Sequence, residues 1–230
     1  MSDSRATALA ALSSNRVFDL AIIGGGATGC GVALDAAARG FSVVLLEAED
    51  FAKGTSSRAT KLVHGGVRYL AQGNVSLVRE ALHERATLLH NAPHLAQPLA
   101  FVMPTYKLWE APFYGVGLKM YDALAGSRGL GDTEFLSAAR TRELLPNVQM
   151  RGLSGGVKYW DGQFDDARLA VALARTAVAR GAVVLNHCPV TALRRKGGKI
   201  TGVVARDTES GATLSISAKC IVNATGVWVD

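Results

Sequence analysis

Residues Asp19–Gly40 read DLAIIGGGATGCGVALDAAARG. A short apolar strand runs into a glycine cluster, and a run of helix formers follows, closed by Gly40. The pattern predicts a strand over Val17–Ile23, a helix over Ala27–Arg39 with Ala33, Ala36 and Ala37 as a small-residue face, and a second strand over Phe41–Leu46. Unbroken apolar strands on either side of a helix belong to a parallel βαβ unit. Gly24, Gly26 and Gly29 fit G-x-G-x-x-G. In that pattern the first glycine permits the tight turn, the second lets a pyrophosphate approach the backbone, and the third lets helix and strand pack closely. The helix N-terminus offers free N–H groups and the positive end of a dipole to phosphates. Glu47 ends the second strand, near the spacing of roughly 20 residues at which a carboxylate accepts from a ribose hydroxyl. Its negative charge disfavours a 2′-phosphate, and so NADP. A glycine-rich connection in an unrelated α/β domain is the alternative, but strand, turn, helix and carboxylate together point to a dinucleotide.

Outward from this unit, residues 1–16 read as a frayed or weakly helical lead-in. Gly54–His64 is polar and reads as a loop, and Val75–His90 as an amphipathic helix bounded by Pro93 and Pro98. The stretch from about Ala96 to Asp161 is irregular and rich in aromatics, among them Trp109 and Trp160. A substrate-facing subdomain suits it. Trp109–Tyr121 reads as its core in preference to a membrane-facing edge. A helix follows Asp165 and stops at Gly181, and AVVLN is a buried strand. Val190–Arg195, Ile200–Asp207 and Thr213–Ser217 form a three-strand meander, and CIVNATG is a final strand entering a turn. A simple NAD domain would continue as alternating strands and helices. A long insertion followed by a return suits a two-domain flavoprotein.

The 230 residues are 49% hydrophobic and 19% charged, an ordinary globular composition with room for a large core. The net charge of +6 fits a basic surface, an anionic cofactor or substrate, or an anionic membrane. No Lys/Arg-dense run interleaved with aromatics argues for nucleic acid. The three cysteines, Cys30, Cys188 and Cys220, include no C-x-x-C, which argues for a reducing compartment and against a disulfide framework or zinc site. No apolar run suits a signal peptide or a membrane span. The expected location is cytoplasmic, with peripheral attachment to the inner membrane left open.

At FAKGTSSRATKLVHGGVRYL, Phe51–Leu70, a family becomes recognisable. Together with GGGATGCGVALDAAARG, YWDGQFDDARL and IVNATGVWVD, it resembles the FAD-dependent, quinone-linked glycerol-3-phosphate dehydrogenases of the glycine/D-amino-acid-oxidase-like flavoprotein group. The resemblance implies an α/β protein with a Rossmann-like FAD-binding domain of the glutathione-reductase type and an inserted, incomplete α+β substrate domain. Its parts would be residues 17–92 (FAD domain), 93–162 (insertion) and 163–230 (FAD domain, return). It implies oxidation of glycerol 3-phosphate with electrons passed to a membrane quinone, and leaves a homodimer open. It also implies that family members are longer, so that this chain is an N-terminal portion, weakly active or inactive alone. Two other readings stand beside it: a related flavin oxidase acting on an amine or 2-hydroxy acid, and a non-catalytic FAD-binding module.

Carried over residue by residue, the resemblance gives Gly24, Gly26 and Gly29 to the FAD pyrophosphate and Glu47 to the adenosine ribose. Thr55, Ser56 and Ser57 would donate to the pyrophosphate or ribityl chain, a plain polar loop being the alternative. Lys61, His64, Gly65 and Gly66 form the flavin-side turn. The backbone of Val190 meets the adenine, and Ala224, Thr225 and Gly226 turn the last strand toward the cofactor. Arg68 and Tyr69 line the substrate side, since the paired donors of Arg suit a phosphate dianion. An ordinary surface arginine is the alternative for Arg68. His64 is the nearest acid–base candidate, although holding the flavin is its expected role. His83, His90, His94 and His187 have no metal-ligand spacing, and no metal is expected. In the cluster Asp161, Asp165 and Asp166, helix capping by Asp165 is favoured over a catalytic dyad.

Overall fold

Val43–Leu46 is buried at every position, with Val44 and Leu46 packing into one apolar cluster and Val43 and Leu45 into another. A strand covered on both faces lies inside a three-layer arrangement, and burying each such side chain contributes about 1.5–3 kcal/mol. The computed structural model of the chain describes residues 2–70 and 72–229; the side chains of residues 2–4 and of Arg68 lie outside the described part. There are two compact units, Met1–Thr60 with Asp166–Asp230, and Lys61–Asp165.

The first unit contains α1 (Ser2–Ser13), β1 (Val17–Ile23), α2 (Ala27–Ala38) and β2 (Val43–Leu46) before the chain enters the second unit. The second unit holds β3 (Leu62–Val63), α3 (Val67–Leu70), α4 (Val75–Asn91), β4 (Ala96–Thr105), α5 (Glu110–Ala125), β5 (Glu134–Ser137), α6 (Ala138–Leu144) and β6 (Gly155–Phe164). The first unit then resumes with α7 (Asp166–Ala179), β7 (Val183–Leu185), β8 (Val190–Lys196), β9 (Lys199–Arg206) and β10 (Thr213–Asn223).

The sheet of the first unit has the order β7-β2-β1-β10-β9-β8. β7, β2, β1 and β10 run parallel, and β10-β9-β8 is an antiparallel meander. Ile22, Val43 and Leu45 pack with Cys30 and Ala33 of α2 and with Ala174 and Ala177 of α7. These alanines let the two helices lie close to the sheet and to each other. Phe18, Ala21, Val44 and Ile216 pack on the other side with Leu12 of α1. The lead-in is thus a helix tied down rather than a frayed end. Its Arg5 pairs with the buried Asp207 and donates to the Asn186 carbonyl at 3.0 Å. A second difference is that Thr213–Ser217 and CIVN are one continuous strand. Ser217 is opposite Gly202 of β9 on one side and Val17 of β1 on the other.

In the second unit β6 is central, with β4 on one edge and β3 and β5 on the other. The irregular-looking stretch 96–161 therefore contains the ten-residue strand β4 and most of the ten-residue strand β6. Pro98 and Pro104 lie in edge strand β4, opposite Gly162 and Gly156. An edge strand tolerates residues that cannot donate to the ladder. Leu70, Val78, Leu82, Tyr121 and Ala125 form the core under α4 and α5. The division falls at 60/61 and 165/166 rather than at 92/93 and 162/163, because α4 packs on α3, α5 and β4. Trp109–Tyr121 is not all core: Leu118 and Tyr121 are buried, while Trp109, Phe113, Val116 and Met120 are exposed. Among the described residues no helix is long and apolar enough to cross a membrane.

Candidate functional site

β1 delivers the chain to the glycine turn at the carboxyl end of the parallel strands, where open α/β sheets bind ligands. Gly24 takes φ +110, and a Cβ there would lie 2.5 Å from the Ala224 carbonyl oxygen. Its N–H donates to the Leu46 carbonyl at 2.8 Å, which fixes the turn between β1 and β2. Gly29, one turn into α2, would place a Cβ 1.9 Å from the Gly24 carbonyl oxygen. The third glycine of the motif therefore lets α2 pack against the turn, and it is not among the residues that line the cavity described next.

A cavity of about 550 Å³ opens on this turn, within the range of small-molecule sites. Gly24, Gly26 and Glu47 line one part of it, Thr55 and Ser56 another, and Val190, Ala224, Thr225 and Gly226 a third. Nine of the residues expected from sequence thus meet around one space. Ser57 is not among its lining residues, and its hydroxyl donates to the Ala52 carbonyl. Thr225 is held by the Asn223 side chain, which accepts from the Thr225 N–H at 3.2 Å and from its hydroxyl at 2.7 Å.

The donors around the cavity are arranged for an anion. The first-turn N–H groups of a helix have no intrahelical acceptors, and those of α2 emerge where Gly26, Ala27 and Thr28 line the cavity. Ser56 Oγ accepts from the Ala27 N–H at 2.9 Å. Glu47 accepts from the Gly25 N–H at 2.5 Å and the Glu49 N–H at 2.9 Å. A carboxylate has about four acceptor positions, so it retains capacity for ribose hydroxyls. Burial, then the Glu47 charge, pushes the neighbouring Cys30 thiol up to about 11, which keeps it protonated and inert.

Sequence reasoning missed Gly25, Arg58 and Trp228. Gly25 has no room for a side chain against Phe51 and Glu47, and its signal was the third consecutive glycine of GGG. Arg58 and Trp228 also line the cavity. Arg58 was within reach, since it ends the GTSSR run; Trp228 approaches Gly54 from a distant part of the chain.

Lys61, His64, Gly65, Gly66, Arg68 and Tyr69 all belong to the second unit. Lys61 has φ +59 and its carbonyl accepts from Phe164 N–H at 3.0 Å. His64 is exposed, and Gly65 and Gly66 are buried. Arg68 lies in α3, but its side chain is outside the described residues. Tyr69 is 43% exposed. Of the acidic cluster, Asp161 is buried and ion-paired with Arg85, and Asp166 opens α7. Among the described residues no group of His, Cys, Asp and Glu could hold a metal ion.

Residues 19–230 match the family model described as FAD dependent oxidoreductase. The chain belongs to that family. It is 46% identical to the mitochondrial glycerol-3-phosphate dehydrogenase of Rattus norvegicus over 99% of this chain and 33% of that protein. Among solved structures it is similar to the glycerol-3-phosphate dehydrogenase of Bacillus halodurans in complex with FAD, with TM-score 0.76 and 37% identity over 98% of this chain and 37% of that one. It is also similar to glycine oxidase of Bacillus cereus, with TM-score 0.64 and 25% identity over 92% and 56% of the two chains. The chain spans about a third of the length of the curated relatives it matches. The cofactor of the family is FAD, and the glycine cradle, the α2 N-terminus and Glu47 fit its ADP half. Replacing Ser56 by alanine leaves the Ala27 N–H without its protein acceptor. The expected result in a fluorescence titration is FAD affinity weakened about fivefold, the equivalent of about 1 kcal/mol for a lost capping oxygen.

Proposed function

We propose that this chain is part of a flavoenzyme that oxidises sn-glycerol 3-phosphate to dihydroxyacetone phosphate. The observation that carries the reading is the cavity on the glycine turn, in a chain 46% identical to a glycerol-3-phosphate dehydrogenase over nearly its whole length. FAD, when bound, would supply the acceptor for the hydride leaving substrate C2 while the hydroxyl proton goes to a base, with a membrane quinone as the final acceptor of the electron pair.

The protein binds and orients. Backbone N–H groups at Gly26 and the start of α2 hold the diphosphate, Arg58 adds a cation there, and Glu47 takes the ribose hydroxyls. Lys61 and the His64–Gly66 turn serve the flavin side. The guanidinium of Arg68 suits the substrate phosphate and the Tyr69 hydroxyl a substrate hydroxyl. His64 is the acid–base candidate of that turn.

The exposed face of α5 supports a peripheral contact with the inner membrane. Trp109, Phe113, Val116 and Met120 follow helical spacing, and Phe113 and Val116 are 64% and 71% exposed. Lys119 is exposed on the same helix, and Lys107, just before it, lies over the Trp109 ring. Apolar residues flanked by cations suit an anionic lipid surface.

The visible spectrum of the purified chain with added FAD, followed by anaerobic substrate addition, tests the proposal. A bound flavin is expected, with weak or no bleaching by sn-glycerol 3-phosphate for this chain alone and full bleaching for a form as long as its relatives. Similarity to glycine oxidase favours a second reading, oxidation of an amine or 2-hydroxy acid. Bleaching by glycine, proline or lactate but not by glycerol 3-phosphate would establish it. Failure of the longer form to respond to any of them leaves a non-catalytic FAD-binding module.

A further inference from the structure

Beneath the His64–Gly66 turn lies a buried charge cluster that none of the roles above employs. Asp161 of β6, Arg85 of α4 and Tyr121 of α5 are 3%, 1% and 1% exposed. Asp161 Oδ1 accepts from Arg85 Nη1 at 3.0 Å, the Gly162 N–H at 3.0 Å and the Gly65 N–H at 3.3 Å. Its Oδ2 accepts from the Tyr121 hydroxyl at 3.0 Å. Burial, then the Asp161 charge, raises the Tyr121 pKa and keeps the phenol a donor.

Stability alone gives a poor account of this cluster. Replacing a buried ion pair by apolar side chains is often neutral or stabilising, and here Arg85 Nε has no partner among the described residues. What the carboxylate holds is more telling. Among the described residues, its one acceptor role outside its own strand and the two side chains is toward the backbone of Gly65. A Cβ on Gly65 would lie 2.2 Å from the Tyr121 hydroxyl and 2.5 Å from Leu82 Cδ2. The turn backbone is therefore pressed onto α4 and α5 and bonded to a charge that cannot move.

We propose that the Arg85–Asp161–Tyr121 cluster is a positioning device for the His64–Gly66 turn, fixing the backbone on which the flavin side of the cofactor rests. The flavin half of this statement rests on the function proposed above; the hold on the turn does not. Asp161 and Tyr121 act through Gly65 and need touch neither cofactor nor substrate.

Amide hydrogen exchange on the 230-residue chain tests the hold, and the spectrum of the FAD-loaded chain tests its purpose. Asp161→Asn is the direct variant. Tyr121→Phe removes one hydroxyl, keeps the ion pair, and decides the matter if the first variant fails to fold. Thr105→Val is the control: Thr105 is buried in the same unit, its hydroxyl meets Ser154 Oγ at 3.2 Å, and it lies opposite Gly155, six residues along β6 from Asp161. Exchange at Gly65 is expected to accelerate roughly ten- to hundredfold in Asp161→Asn, where its acceptor loses its charge, by about fivefold in Tyr121→Phe, where the carboxylate keeps its charge and loses one of the bonds that fix it, and to stay unchanged in Thr105→Val. The visible flavin band of the loaded chain should shift in Asp161→Asn and Tyr121→Phe and stay in place in Thr105→Val. Unchanged exchange at Gly65 in Tyr121→Phe, or equal acceleration in the control, overturns the hold. Faster exchange with an unmoved flavin band overturns the purpose. A wild-type chain that binds no FAD sinks the functional reading and the flavin half with it, while the exchange comparison still decides whether the carboxylate holds the turn.

Discussion

Alanine at Gly29 destabilises the chain by about 3 kcal/mol and abolishes FAD binding, whereas alanine at Gly31 in the same helix stabilises it by about 1 kcal/mol. Helix propensity favours both changes equally. Sterics separates them. The new Cβ at 29 meets the Gly24 carbonyl oxygen at 1.9 Å and the Ala224 Cβ at 3.4 Å, while at 31 it meets nothing within 4 Å. The Gly24 backbone cannot retreat without breaking its bond to the Leu46 carbonyl, and the Ala224 N–H is tied to the Ile23 carbonyl at 2.8 Å. Both segments shape the cavity, so relief of the clash deforms the site itself. Urea unfolding and FAD titration of the two variants provide the check. Changes of the same sign in both would mean that α2 does not approach the turn this closely.

Asparagine at Asp161 is expected to cost the second unit about 3–5 kcal/mol, because it leaves the Arg85 charge buried and uncompensated. Adding Arg85→Met removes that charge, and the double variant should recover most of the loss. The single changes would then be strongly non-additive, with a coupling of at least about 3 kcal/mol in a double-mutant cycle. Additive effects would contradict a direct buried pair. The two expected results differ in kind: the first concerns a backbone approach that no side chain can repair, the second a charge whose removal in company is tolerated.

The parallel core and the cofactor turn were legible because each carries a local pattern. Val17–Ile23, the glycines and Val43–Leu46 state their own periodicity, and Glu47 follows at the spacing the chemistry needs. β4 and β6 were hidden because Pro98, Pro104, Gly155, Gly156 and Gly162 read as breakers, and only their pairing across two strands makes them tolerable. Arg85 was hidden for a related reason. It occupies a core position of α4 beside Val78 and Leu82, which no hydrophobic pattern assigns to an arginine. Its partner is distant in sequence and arrives on another strand. β10 was divided in two because its first half alternates as an antiparallel strand and its second half does not. Arg58 needs no tertiary information, since it directly follows Thr55–Ser57 in the GTSSR run.

The place of β10 also has a consequence for biosynthesis. β1 leaves the ribosome well before its neighbour β10, from which it is separated by roughly 190 residues of chain. At typical rates of translation of about 5–20 residues per second, that flank of β1 waits roughly 10–40 s for its partner. The contiguous segment Lys61–Asp165 emerges whole within that interval, with β3 already able to pair with β6. Nascent chains that stall between Asp165 and Thr213 therefore leave one edge of β1 open, with β2 on the other, and a chaperone that shields Phe18–Ile23 during that interval would raise the yield of folded protein.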